Sequence, residues 1–296
     1  MIHLDAGKRH DFVLLFDVTD GNPNGDPDAG NLPRTDPQTG QGIVTDVALK
    51  RKIRNYVDAR LGTEERYKIY VQQGAVLNER NQRAYTALKK DSKKATTQDV
   101  SETRAWMCNN FFDIRTFGAV MSTEVNCGQV RGPVQLTFAR SVDRILPMDI
   151  AITRVALTKT DEKAVRNEDN ESTASSGTIG RKAFIPYGLY IAHGFYVPSY
   201  AADTKFDGDD LELLWNALQN MWDLDRSASR GQTACRGLYV FSHDSALGSA
   251  PSHQLFKRIQ VKPVGVARTF EAYQETMQVD DTNLPHGVTL TRLLEG

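Results

Sequence analysis

The sequence contains few of the residues and patterns that mark the commoner functional classes. Its three cysteines, Cys108, Cys127 and Cys235, are scattered and odd in number. Their spacing provides neither a CxxC zinc motif nor a disulfide framework, which favours a reducing, cytoplasmic setting. No apolar run is long enough to span a membrane, and the first residues lack the apolar region of a signal peptide. We therefore expect a cytoplasmic protein that makes no contact with a membrane.

The chain also has almost no net charge. Its 296 residues include 36 basic and 37 acidic side chains, which give a formal net charge of −1. Such a balance neither indicates nor excludes a nucleic-acid partner, because local basic patches matter more than the total charge. The length allows one large domain with insertions or two domains, with a sizeable core.

Familiar catalytic motifs are missing as well. The sequence has no GxSxG nucleophile elbow, no GxxxxGK[ST] phosphate loop and no HExxH zinc motif. The six histidines do not cluster, and His193 lies in an apolar stretch where a core position is expected. We therefore expect a protein with no enzymatic activity, no cofactor and no bound metal.

The most informative stretch is DGNPNGDPDAGNLPRTDPQTGQGIVTDVALKRKIRNY, residues 20–56. It follows an apolar run, residues 11–18, that has the pattern of a central strand buried on both faces. Its first half is rich in Gly, Pro, Asn and Asp, which break regular structure. A loop of this length inside a compact domain is usually functional. Its second half is predicted to form a helix, residues 46–60, with Thr45 as the N-cap.

The predicted helix carries a cluster of positive charge. Its buried stripe is expected at four positions with helical spacing, namely Leu49, Ile53, Tyr56 and Val57. About one helical turn holds four basic residues, Lys50, Arg51, Lys52 and Arg54. Such side chains suit contacts with nucleic-acid phosphates. A solvated helix surface explains the same charges, so the residues alone leave both interpretations open.

The rest of the chain indicates a sheet domain with insertions. Residues 62–112 are charged and helical in pattern, which predicts an inserted helical subdomain, although a solvated helical face is the plainer interpretation of their charge. Residues 158–182 contain almost nothing to bury, so they are predicted to stay mobile until something binds them. Further elements are predicted as strands at 117–121, 134–140, 150–157, 185–198, 236–241 and 259–264, with an amphipathic helix at 209–222. Strands that alternate with a few helices predict the α+β class.

The loop also places oxygen-bearing side chains at alternate positions: Asp20, Asn22, Asn24, Asp26 and Asp28. This spacing resembles a calcium-binding loop, but the twelfth position holds Asn31 in place of the usual Glu. Asx turns explain the same residues more simply.

Two blocks of the sequence resemble a known family. The first contains GNPNGDP, LPRTD and TGQGIVTDVALKRKIRNY in that order, and the second is RTFGAVMSTEVNCGQVRGPVQLTFARSVDRI, residues 115–145. Both are similar to CRISPR-associated protein family seven of the RAMP superfamily, the backbone subunit of CRISPR Cascade surveillance complexes. The similarity is greatest to subtype I-C.

The resemblance implies a fold and a set of partners. Family members have a modified RRM-like (ferredoxin-like) palm, a helical fingers insertion and an extended thumb loop. Several copies bind one CRISPR RNA head to tail in a helical filament, together with other Cascade subunits, and present it for pairing with target DNA in antiviral defence. Transferred to this chain, the palm is expected at 1–61, 113–157 and 184–296, the fingers at 62–112 and the thumb at 158–183.

The resemblance also assigns a role to the loop and helix. RNA contacts are expected at ten residues: Asn24, Arg34, Lys50, Arg51, Arg54, Arg115, Arg131, Arg166, Arg181 and Lys182. No base stacking is assigned, because the aromatic signature of ordinary RNA-recognition motifs is absent.

Two alternatives to the backbone function stay open. The first is a metal-dependent RAMP ribonuclease that cleaves target RNA through a loop aspartate, for which Asp26, Asp28 and Asp36 are candidates. The second is an interaction module that does not bind RNA.

Overall fold

The structure is a computed structural model that describes residues 1–153 and 179–296. The strands, in chain order, are β1 (His10–Gly21), β2 (Gly25–Asp26), β3 (Leu32–Pro33), β4 (Gln41–Val44), β5 (Gly118–Ser122), β6 (Asn126–Arg131), β7 (Val134–Leu136), β8 (Ala139–Arg144), β9 (Met148–Thr153), β10 (Ile179–Tyr196), β11 (Gln232–His243), β12 (Ile259–Val261), β13 (Met277–Val279) and β14 (Val288–Glu295). The α-helices are α1 (Asp46–Leu61), α2 (Leu77–Ala87), α3 (Thr97–Asn110), α4 (Phe112–Phe117), α5 (Pro198–Thr204), α6 (Gly208–Asn220), α7 (Ser252–Phe256) and α8 (Glu271–Gln274). Short 3-10 turns occur at Ile2–Leu4, Pro27–Ala29, Glu65–Tyr67 and Ser92–Lys94.

An antiparallel sheet of eight strands organises the main domain. Its order is β14-β11-β1-β10-β8-β4, and the long strand β10 also pairs with β7 and β9. Strand β1 lies in the middle, antiparallel to both β10 and β11. The class predicted from the sequence, α+β, is confirmed by this mixture of an antiparallel sheet and helices.

Strand β1 is buried on both faces, as its sequence predicts. Phe12, Leu14 and Phe16 enter the core that also contains residues of α1 and α6. Val13 and Leu15 point to the opposite face, into a second core shared with α7 and β12. The continuous apolar run therefore reflects a strand that separates two cores.

Helix α1 covers the first core and begins where the sequence predicts. The Thr45 hydroxyl accepts a hydrogen bond from the Ala48 N–H at 3.3 Å, which satisfies one free donor of the first turn. Leu49, Ile53 and Val57 are fully buried. Tyr56, the fourth predicted member of the stripe, is only partly buried, whereas the basic Lys52 is buried beside it.

A smaller unit packs around its own apolar cluster. Helices α2 and α3 and the β5–β6 hairpin contribute to this cluster, whose largest members include Tyr85, Met107, Phe111 and Met121. The predicted fingers insertion, residues 62–112, contains both helices, and the hairpin that follows packs with them. Residue 112 is therefore not a packing boundary, and the division into palm, fingers and thumb stays a prediction.

Some predicted elements have different bounds in the structure. The strand predicted at 134–140 is two strands, β7 and β8, which are separated by Thr137 and Phe138. Thr137 stays bound to β10, since its N–H donates to the His193 carbonyl at 2.8 Å and its hydroxyl accepts from the His193 N–H at 3.1 Å. Of the predicted thumb, residues 158–178 lie outside the described residues, and 179–183 form the start of β10, paired with β9. Strand β14 was not predicted. No described helix combines the length and the apolar character needed to cross a membrane.

Candidate nucleic-acid interface

A cleft of about 370 Å³ opens beside the first half of α1. Four segments form its walls: the loop after β1, helix α1 with its N-cap, residues 71–72 before α2, and the loop between α6 and β11. Its lining includes four basic side chains and one acidic side chain, which are Arg51, Lys52, Arg54, Arg230 and Asp225. The cleft is therefore a cationic depression on a protein with almost no net charge, and it suits an anionic ligand.

The start of α1 adds to this positive character. Thr45, Val47 and Ala48 line the cleft, so the first turn of a 16-residue helix lies at its wall. Free N–H groups and the helix dipole favour an anion at such a place. Asn24 fixes the loop against this turn, because its Oδ1 accepts hydrogen bonds from the Thr45 N–H and hydroxyl, both at 2.9 Å.

Two arginines of α1 enter the cleft in different states. Arg51 is exposed and forms no ion pair with any residue that the structure describes. Arg54 is held in place: its Nε donates to the buried Asp113 carboxylate at 2.8 Å, and its guanidinium lies 5.4 Å from the Phe117 ring centroid. Arg51 is therefore ready to bind an anion, whereas Arg54 supplies a fixed positive charge.

The floor of the cleft holds a buried charge cluster. Lys52 is 4% exposed and its ammonium contacts the Asp225 carboxylate. Arg230 lies with its Nε 3.4 Å from Asp225 Oδ2, and its Nη1 donates to the Asn22 and Pro23 carbonyls at 3.0 and 3.1 Å. Burial, helped by the Arg230 charge, lowers the pKa of Lys52 to about 7, and the contacting Asp225 carboxylate acts in the opposite direction.

Three of the residues predicted to bind RNA meet in this cleft, namely Asn24, Arg51 and Arg54. The others that the structure describes do not line it. Lys50 pairs with Asp46 at 2.9 Å on α1, outside the lining. The remaining described ones, and their nearest partners, are Arg34 with Asp26, Arg131 with the Tyr200 ring, Arg181 with Asp149 and Lys182 with the Phe184 ring. Arg166 lies outside the described residues.

Arg115 requires a correction. Its side chain is fully buried and forms two hydrogen bonds of 2.7 Å with the Asp210 carboxylate. Its Nη1 also donates to the Cys108 carbonyl at 2.9 Å. The pair joins α4 to α6, and we therefore assign Arg115 to the core rather than to a surface that contacts RNA.

Sequence reasoning missed Arg230 and Asp225 as members of the cleft. They lie in DRSASRGQT, a stretch of small and charged residues after α6, in which Asp225 is 173 residues after Lys52 in the chain. The local composition of this loop, basic with serine and glycine, was a usable signal. Tertiary packing places this loop beside α1, and the local sequence pattern does not encode that packing.

The acidic residues of the first loop are engaged with separate partners. Asp26 accepts from the Asp28 N–H and pairs with Arg34, and Asp36 pairs with Arg140 at 2.8 Å. The hydrogen bond from Arg140 lowers the pKa of Asp36, and the N–H groups of Gln38 and Thr39 add to this effect. Within residues 1–153 and 179–296, no group of three or more His, Cys, Asp or Glu side chains is placed to hold a metal ion.

Comparison with known proteins gives a consistent result. The family model for CRISPR-associated protein Cas7 matches residues 8–280. A protein of Haloferax volcanii described as CRISPR-associated protein Cas7 is 26% identical over 245 residues, which cover 72% of this chain and 65% of that protein. The match thus spans slightly less than two thirds of the relative's length.

Solved structures with a similar fold come from RNA-guided complexes. A chain of a "CRISPR RNA-guided surveillance complex, pre-nicking" superposes with a TM-score of 0.51 at 15% identity, covering 79% of this chain and 78% of that chain. A chain of a second "CRISPR RNA-guided surveillance complex" gives a TM-score of 0.47 at 16% identity, covering 79% and 68%. The first similarity shows a shared fold, and the second carries no argument. Because the family model matches residues 8–280, this protein belongs to the Cas7 family of CRISPR-associated proteins.

Proposed function

We propose that this chain is a non-catalytic backbone subunit of a type I-C Cascade complex and binds CRISPR RNA through the cleft beside α1. The observation that carries the proposal is the convergence of four basic side chains and a helix N-terminus on one cleft. Membership of the Cas7 family supports it. In this proposal the bound RNA is presented for pairing with target DNA.

The lining of the cleft suits the RNA backbone better than the bases. Arginine and lysine contact phosphates without reading sequence, and helix N-terminal N–H groups do the same. The residues that line the cleft include no aromatic side chain for stacking. A protein that holds the guide by its backbone leaves the base edges free, as pairing with a target requires.

The finer description of the fold belongs to the same proposal. We assign the eight-stranded sheet to an RRM-like palm and the unit around α2 and α3 to the fingers. Strands β9 and β10 begin a two-stranded ribbon that leads towards the residues proposed as the thumb. Other copies of the chain and other Cascade subunits are the proposed protein partners.

Arg51 gives the sharpest test of the cleft. Replacing it with glutamate puts a negative charge in the lining without breaking an ion pair among the described residues. We expect the affinity for single-stranded RNA to fall by at least about tenfold, or about 1.4 kcal/mol. The slope of log K against log salt should also shrink by about 0.7, the value for one lost phosphate contact on a single strand. Fluorescence anisotropy at several salt concentrations measures both quantities.

Arg60→Glu is the matched control for that test. Arg60 is also exposed on α1, but nine residues further along, on the opposite side of the helix. Reversing the charge of Arg60 should leave RNA affinity within about twofold of that of the unaltered protein, a difference of roughly 0.4 kcal/mol. Equal loss in the two variants would mean that only the total charge matters, and the cleft would lose its assignment.

The number of copies on one RNA should follow the length of the RNA. A head-to-tail contact that does not close produces an open helix, so the template decides how many copies bind. We expect the mass of assemblies formed on CRISPR RNA to rise in equal steps as the spacer lengthens, measured by native mass spectrometry. A closed ring of constant mass on every RNA would refute this mode of assembly.

A further inference from the structure

The single carboxylate of the cleft is out of place in a site for phosphates alone. Asp225 lies among Arg51, Lys52, Arg54 and Arg230. A negative charge at this place repels the phosphate groups that the four cations attract. Part of its role is to hold Lys52 and Arg230, but both of these contacts use the same oxygen.

The two oxygens of Asp225 are in different situations. Oδ2 contacts the Lys52 ammonium and lies 3.4 Å from Arg230 Nε. Oδ1 accepts no hydrogen bond from the residues that the structure describes, and the side chain is 15% exposed at the wall of the cleft. An ionised carboxylate can only accept hydrogen bonds. The cleft therefore presents one acceptor oxygen that is open to a donor from the ligand.

The chemistry of nucleic acids limits what this donor is. Phosphate and ring oxygens of the backbone are acceptors, so they cannot bond to a carboxylate. Base N–H groups donate, but they vary with sequence and are needed for pairing with the target. The ribose 2′-hydroxyl is a donor that every RNA nucleotide carries and DNA lacks. Carboxylates bind ribose hydroxyls in this way in dinucleotide-binding proteins.

We propose that Asp225 makes the cleft selective for RNA over DNA by accepting a hydrogen bond from a ribose 2′-hydroxyl. This inference rests on the proposed function of the cleft. The cations hold the phosphates of either nucleic acid, and Asp225 repels both. The hydroxyl bond compensates that repulsion for RNA alone. Selectivity thus arises from a group that weakens the binding of the wrong ligand, a common device in specific recognition.

The test compares three oligonucleotides of one mixed sequence, each short enough for a single copy of the chain. They are RNA, 2′-fluoro RNA and DNA in which uracil replaces thymine, so that all three carry the same bases. The 2′-fluoro sugar keeps the RNA-like pucker but has no hydroxyl donor, so it separates the hydrogen bond from the shape of the strand. We expect the unaltered protein to bind RNA about tenfold more tightly than the other two at equal salt, since hydrogen bonds to charged groups are among the stronger ones.

Two variants complete the test. In Asp225→Ala we expect RNA affinity to fall and DNA affinity to stay equal or rise, so that the ratio of the two approaches one. Asp223→Ala is the matched control, because it removes an exposed carboxylate of the same loop that does not line the cleft. The ratio of RNA affinity to DNA affinity in this control should match that of the unaltered protein.

The possible failures are distinguishable. If Asp225→Ala weakens RNA and DNA by the same factor, Asp225 only holds Lys52 and Arg230, and the inference is wrong. If the unaltered protein binds RNA and 2′-fluoro RNA equally, the inference is wrong whether or not the variant folds, but the proposed function stands. If the unaltered protein binds none of the three at low salt, the proposed function fails as well.

Discussion

Replacing Arg115 with methionine is expected to lower the free energy of unfolding by about 3–5 kcal/mol, the cost of breaking a buried ion pair by removing one partner. Arg115 and Asp210 are both fully buried, and two bonds of 2.7 Å join them. The methionine leaves the Asp210 carboxylate with Arg66, at 3.0 Å, as its remaining cation among the described residues. Because the pair links α4 to α6, the loss should appear in the global unfolding transition.

Urea denaturation followed by circular dichroism measures this loss. The matched control is Arg226→Met, which breaks an exposed pair with Asp223 whose side chains are 53% and 79% exposed. Exposed pairs contribute little, so this variant should stay within about 0.5 kcal/mol of the original protein. A loss below about 1 kcal/mol in Arg115→Met would contradict the structural role and reopen Arg115 as an RNA contact.

Acid is expected to destabilise the protein through His10. This side chain is buried against Tyr196 and Trp215, and burial lowers its pKa from 6.5 to about 4. Its Nε2 donates to the Asp5 carbonyl at 3.0 Å, and Nδ1 lies 2.9 Å from the Ser242 hydroxyl. Above pH 6.5 the imidazole is neutral in both the folded and the unfolded protein, so it adds no pH dependence to stability. Between pH 6.5 and 4 only the unfolded chain takes up the proton, so stability falls by about 1.4 kcal/mol per pH unit, roughly 3 kcal/mol in total.

His10→Gln isolates this contribution. The glutamine amide cannot titrate, and its NH₂ group can still donate to the Asp5 carbonyl. Carboxylates and the other histidines near the site, including His3 and His243, are the same in both proteins. Urea unfolding at pH 7.5 and 4.5 should show that the original protein loses about 2–3 kcal/mol more than the variant. Equal losses would mean that His10 is not kept neutral in the folded protein.

Local sequence pattern was sufficient to predict the elements next to the cleft. The apolar run of β1, the loop after it and the cap of α1 are each encoded within a few residues, so their structure follows from the sequence. The same holds for the exposure of Arg51, because the buried stripe of Leu49, Ile53 and Val57 fixes which side of the helix faces the core.

The composition of the site depended on contacts that are distant in sequence. Arg115 was predicted to contact RNA, although its neighbours Phe112, Ile114 and Phe117 are apolar and its partner Asp210 lies 95 residues away. Such a pair is formed by tertiary packing, and neither residue alone predicts it. Arg54 is likewise held by a distant residue, Asp113, whereas the pair of Lys50 with Asp46 is a local i,i+4 contact on α1.

The central claim is that the cleft beside α1 holds the backbone of CRISPR RNA. Cryo-electron microscopy of the protein assembled on CRISPR RNA tests it most directly. We predict RNA phosphates within hydrogen-bonding distance of Arg51 and the first turn of α1 in each copy, with a ribose facing Asp225. RNA that follows another surface and leaves this cleft empty in every copy would contradict the claim.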